Sequence, residues 1–108
     1  MGWPLRLVLV RGPSMVPALR DGDRLLAWLR PLRRTPSVGR VVLVELPGRP
    51  LSVKRLASVE RDGRITVEGD NEFGSTDSRA LGSLPATAVR GVVLGRIGPR
   101  PGRVPKKR

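Results

Sequence analysis

Apolar residues along this chain fall into short runs punctuated by glycine, proline or charged pairs. Residues 5–10, 24–29 and 41–46 are such runs, rich in Val and Leu, and 41–46 is apolar enough to be buried on both faces. Residues 51–59, 65–68 and 89–97 continue the series. Each run is too short for a packed helix and is bounded by turn residues, so each predicts a strand. The breaks between them are Arg11-Gly12-Pro13, Asp21-Gly22-Asp23, residues 47–50 and the hairpin signal Asp62-Gly63. Residues 14–20 predict a turn or a single helical turn that Pro17 breaks. Residues 30–37 form a basic, proline-containing loop and 69–82 a polar one. The pattern predicts a mainly β fold in one domain, residues 1–97. Residues 98–108, with too few apolar side chains for a packed element, read as a basic flexible tail.

Composition narrows the chemistry. Cysteine and histidine are both absent from the 108 residues. Disulfides, thiol catalysis, thiolate or imidazole metal sites and a Ser-His-Asp triad are thereby excluded. Any activated nucleophile must take its base from Lys, Asp or Glu. No cofactor and no metal is expected.

The formal net charge of +12 raises nucleic acid or an anionic surface as a partner. Two features weaken that reading. Of the 21 basic residues 18 are arginine, which looks like a coding bias. Half of the excess lies in Arg96, Arg100, Arg103, Lys106, Lys107 and Arg108. Stacking aromatics are scarce, with only Trp3, Trp28 and Phe73. A basic nucleic-acid-binding module is therefore the rival function, and contact with anionic surfaces is expected to be weak and electrostatic. No run approaches the roughly 18–20 apolar residues that span a bilayer, so the chain is read as lacking a transmembrane anchor and as cytoplasmic.

Three segments carry candidate chemistry. In Gly12-Pro13-Ser14-Met15-Val16-Pro17, one glycine and two prolines fix a tight backbone around a hydroxyl, where amides can face a developing oxyanion. Alone, this is also an ordinary turn. In Ser52-Val53-Lys54-Arg55-Leu56, period-2 alternation sends Lys54 and Arg55 to opposite faces, so only one is expected inside. Lysine is the better base because it can lose its proton. Alone, it also reads as an edge-strand lysine. In the loop from Gly69, the residues Asp70, Glu72 and Asp77 miss the spacing of a calcium loop, and Asp77 with Arg79 reads as an ion pair.

Taken in order, Ser14-Met15-Val16-Pro17-Ala18-Leu19 with Asp21-Gly22-Asp23, then Val53-Lys54-Arg55, then Gly69-Asp70-Asn71 and Ser75-Thr76-Asp77-Ser78-Arg79-Ala80-Leu81-Gly82 resemble the signal peptidase I family of serine endopeptidases. The likeness covers about residues 8–97. Self-cleaving repressors of the SOS-repressor type share the first two elements but lack the last, and stand second. The resemblance implies a coiled β-sheet, barrel-like core of the signal peptidase and SOS-repressor protease type. It assigns Ser14 as nucleophile, Lys54 as general base, Ser75 as the hydroxyl that orients the amine, and Asp77 with Arg79 as a structural ion pair. Gly12 and Pro13 shape the oxyanion turn, with Gly12 where some members carry a serine. Ala18 and Arg40 depart from the usual Thr and Asp. Only 13 residues precede Ser14, where family members normally carry a membrane anchor. Among short, unanchored members the chain resembles the proteases that mature nickel-type superoxide dismutase. The implied partner is a protein substrate with a cleavable N-terminal segment.

Overall fold

A computed structural model of the chain describes residues 4–29, 35–71 and 81–106. The six apolar runs form six strands: β1 (Leu5–Leu9), β2 (Arg24–Trp28), β3 (Val41–Val44), β4 (Ser52–Val59), β5 (Ile65–Glu68) and β6 (Val89–Gly98). They make one antiparallel sheet in the order β1-β2-β6-β3-β4-β5. Hairpins join β1 to β2, β3 to β4 and β4 to β5. β6 returns from the far end of the chain to lie between β2 and β3, so the last strand unites the two hairpin layers. The run ending in Leu46 is shorter as a strand than its apolar length predicts, yet Leu46 stays buried beyond it. A 3-10 turn at Ala86–Ala88 was too brief to leave a periodic signal.

One sheet wraps two cores, and β3 is the wall between them. Val41 and Leu43 face the first core with Val10, Met15, Leu19, Leu25, Ala27 and Val93. Val42 and Val44 face the second, with Leu46, Leu56, Ile65, Val67 and Leu84 among their neighbours. Alternation in a strand covered on both sides places all four side chains inside. Register shifts in the β2–β6, β3–β6 and β4–β5 pairs bend the sheet enough to enclose both clusters. Gly91 marks the tightest of these turns. A Cβ there would stand 2.6 Å from the Trp28 carbonyl oxygen, so only glycine lets β6 approach β2 so closely.

The segment after β6 differs from the expectation of a tail without packing. Arg96 and Gly102 exchange two backbone hydrogen bonds of 2.9 Å. Val104 packs on the first core, and the Pro105 carbonyl accepts a hydrogen bond from Arg55 Nη1 at 2.7 Å. Composition does not announce these contacts because in two of the three the segment itself contributes only backbone atoms.

Candidate active site

Ser14 lies in the loop that links β1 to β2. The neck of the loop is closed by Val10 N–H donating to the Asp23 carbonyl and Gly22 N–H to the Val10 carbonyl, both at 2.8 Å. Beneath the serine, Met15 and Leu19 are wholly buried in the first core and fasten the turn from below. Above it, Asn71 ties the turn down twice. Its amide donates to the Ser14 carbonyl at 2.9 Å and its Nδ2 to the Pro13 carbonyl at 3.1 Å. Gly12 adopts φ +81°, a conformation strained for any residue with a Cβ, and its amide donates to Asp21 Oδ1 at 2.8 Å. That amide is therefore engaged, and Pro13 has none to offer. Ser14 itself is half-buried.

Lys54 stands on β4 opposite Val42 of β3 and is 4% exposed. A primary amine at this depth is unusual on a β-strand. Its neighbour Arg55 is 5% exposed, opposite Val41. The expectation that only one of the two points inward is thus corrected. Alternation does send them to opposite faces, but both faces of β4 are covered, one by each core. The buried Arg55 guanidinium is satisfied because every arm of it is used. Nε and Nη2 grip the two oxygens of Asp70 at 2.8 and 2.7 Å, and Nη1 donates to the carbonyls of Gly39 and Pro105 at 2.8 and 2.7 Å.

Ser14 and Lys54 line one cleft of about 470 Å³, whose walls include Pro13, Met15, Leu51 and Val53. A hydroxyl and a buried amine on one concave surface can act as nucleophile and base. A larger cavity of about 860 Å³, rimmed by Arg6, Arg49 and Arg90, contains neither of them. It shares Leu46, Arg49 and Leu51 with the cleft and so opens beside it. We take the smaller cleft as the site because it brings Ser14 and Lys54 onto one surface. Ser75, Asp77 and Arg79 lie outside the described residues. Among the described residues no group of His, Cys, Asp and Glu is arranged to hold a metal ion, and no helix is long and apolar enough to cross a membrane.

Sequence reasoning singled out Ser14 and Lys54 but missed the residues that hold them. Asp70 and Asn71 belong to a segment noted for its motif, yet their partners Arg55, Pro13 and Ser14 are distant in sequence. Asp21 offered only a turn signal. A paired Asp-Gly-Asp after a tight glycine turn is consistent with a carboxylate turning back on that glycine's amide, and this is the one signal that was available.

No protein-family model matches the chain. Curated proteins do. Mitochondrial ATP-independent inner membrane protease subunit 1a of Arabidopsis thaliana is 33% identical, over 83% of this chain and 68% of its own length. Mitochondrial inner membrane protease subunit 1 of Xenopus tropicalis is 32% identical, over 86% and 69%. The signal peptidase complex catalytic subunit of Colletotrichum graminicola is 31% identical over 68% of this chain and 45% of its own length. On this similarity, and with the mainly β sheet described above, the chain belongs to the signal peptidase I-like family of peptidases.

Proposed function

We propose that the chain is a serine endopeptidase in which Ser14 attacks a peptide carbonyl and Lys54 takes its proton. The observation that carries this reading is the shared cleft, where a half-buried serine and a lysine only 4% exposed are lining residues. An ordinary lysine, with a pKa of about 10.4, is neutral in only about one molecule in 2,500 at pH 7. Burial of an amine favours its neutral form, the form a base requires. As the tetrahedral intermediate forms, its oxyanion needs a donor. The Gly12 amide is committed to Asp21 and Pro13 lacks one, which leaves the Ser14 amide as the nearest donor in the turn. Collapse of the intermediate passes the proton from Lys54 to the leaving amine. Water, deprotonated by the same lysine, then releases the acyl group from Ser14. Ser75 as the hydroxyl that orients the amine, and Asp77 with Arg79 as an ion pair, complete the reading by family resemblance.

The substrate is a protein with a cleavable N-terminal segment. It lies extended in the cleft between the end of β1 and the start of β4, where strand backbone is available to it. The precursor of nickel-type superoxide dismutase is the first substrate to try, a pairing supported by sequence resemblance alone. The working location is the cytoplasm, with electrostatic attachment to anionic surfaces that salt reverses. The experiment is incubation of candidate precursors with the chain and mass spectrometry of new N-termini. Ser14→Ala and Lys54→Ala should each abolish cleavage, and the double variant should be no worse than either single one. Appreciable turnover by Ser14→Ala would sink the proposal.

A further inference from the structure

We propose that the segment after β6 is a strap that positions the two reactive residues, with Arg55 as its hub; the proposal rests on the Ser14–Lys54 reading. The strap is attached at both ends of the site. On the serine side the strap is held by Arg96 of β6, whose Nη1 donates to the Ala18 carbonyl at 3.2 Å and lies 3.9 Å from an Asp23 carboxylate oxygen. That same oxygen accepts the Arg20 amide at 2.9 Å, so Arg96 braces the loop that carries Ser14. Arg96 also holds the strap itself, through the Arg100 carbonyl at 2.6 Å and the paired backbone bonds with Gly102.

On the lysine side the strap ends against Arg55, the residue that follows Lys54. The Pro105 carbonyl fills an arm of a guanidinium buried in the sheet, and Val104 packs on the core that also holds Met15. Arg55 then passes the constraint onward. Its fork fixes the Asp70 carboxylate, and the next residue, Asn71, holds the carbonyls of Pro13 and Ser14. A continuous set of contacts thus runs from the strap through Arg55 and Asp70 to the backbone of the nucleophile. A charge this deep needs all its partners, because an unmatched donor in such a site is destabilising. Freeing the Pro105 carbonyl therefore loosens the fork that locates Asn71. Arg55 is a positioning residue in this scheme, since it acts through Asp70 and Asn71.

The test keeps the full chain and expels the strap by Val104→Asp, which sets a carboxylate against apolar side chains. Misplacement of the serine should lower kcat about tenfold while KM changes less than about twofold. Val104→Ile should restore wild-type kcat. A second measurement does not depend on catalysis: exchange of the Asn71 amide hydrogen should rise about tenfold in Val104→Asp, while the Ile65 and Leu84 amides, paired across the second core, keep their protection. If Val104→Asp unfolds the chain, Val104→Ala takes its place with the same expectations in the same direction. Unchanged kcat and unchanged Asn71 exchange in a folded variant would overturn the strap, and so would equal loss of protection at Ile65 and Leu84. Failure of the peptidase reading is visible separately, as wild-type protein without Ser14-dependent cleavage, and the exchange data still decide the strap.

Discussion

The cleft is reached by a loop on one side and a strand on the other, and the two are fixed by different means. Ser14 rides on the connection between β1 and β2. Its place depends on individual polar contacts from Asp21, Asp23 and Asn71, together with the buried anchors Met15 and Leu19. Lys54 rides on β4, whose backbone is paired to β3 on one side and β5 on the other. Moving the lysine means moving a sheet, whereas the serine moves when one or two hydrogen bonds are lost. Loops open at lower free energy than central strands. Errors of position should therefore arise on the serine side, and errors of protonation on the lysine side.

The largest effect belongs to the lysine. Lys54→Arg keeps a positive charge at the position but removes the only form able to accept a proton, because arginine stays charged across the accessible pH range. Steady-state assays should show a fall of at least about 10³-fold in kcat/KM. On the proposed mechanism the active form is the neutral amine, so kcat/KM should climb with pH through the lysine's pKa and then level off. A flat profile from about pH 6 to pH 10, with chemistry rate-limiting, would remove Lys54 as the base.

Next in size is the ion pair beneath the site. Asp70→Ala leaves the Arg55 guanidinium buried, with side-chain exposure of 7%, and without its carboxylate. Breaking one partner of such a pair costs about 3–5 kcal/mol. Urea unfolding should show this as a lowered midpoint at unchanged slope. A loss below about 1 kcal/mol would mean that solvent reaches Arg55 and that the strand side is less rigid than the packing implies.

A pair of core variants sharpens the contrast between the two sides. Met15→Ala and Leu56→Ala each empty a wholly buried position, one in each core, and each should cost about 2–5 kcal/mol. Well below their unfolding midpoints only Met15→Ala should lower kcat, because of the two only Met15 is next to Ser14. Equal kcat values in the two folded variants would break the claim that the loop is positioned by its own anchors.

How much of this was legible in the sequence divides along the same line. The strands were, because short apolar runs between Gly, Pro and Asp-Gly breaks leave little choice of element. Lys54 stood out as a candidate through chemistry, since it is the only lysine outside the last three residues and no histidine competes with it. Its neighbour did not. The alternation rule assumes one wet face, and nothing local in Val53-Lys54-Arg55 reveals that a bent sheet covers both. Nor could the partners of Arg55 be read, because Asp70 is 15 residues away and the Pro105 acceptor is a backbone carbonyl 50 residues away. Motif order located the Gly69-Asp70-Asn71 segment without disclosing that Asn71 holds the serine turn. Side-chain types announce chemistry, but apart from the Arg55–Asp70 fork the hydrogen bonds that position that chemistry engage a backbone atom on at least one side, and every residue has those.

The smallest effect isolates backbone strain from packing. Gly12 and Gly63 have nearly the same conformation, φ +81° and φ +87°, and a Cβ at either would meet no atom within 4 Å. Replacing either by alanine therefore adds no clash and acts through the left-handed backbone alone, at about 1–2 kcal/mol. Gly63 closes the hairpin between β4 and β5, where its amide donates to the Glu60 carbonyl at 2.9 Å, beyond the end of β4 opposite to the one that carries Lys54. Gly12 lies two residues before Ser14, with its amide on Asp21. Thermal unfolding should report similar losses for Gly12→Ala and Gly63→Ala. Their activities should part, since relief of strain at Gly12 shifts the Asp21 contact and with it Ser14, whereas Gly63 can relax into solvent. Gly12→Ala should lower kcat by a fewfold to about tenfold, and Gly63→Ala should leave it at the wild-type value. If both keep full kcat while losing stability, the turn is held by Asn71 and Met15 alone, and the glycine serves only to let the chain turn.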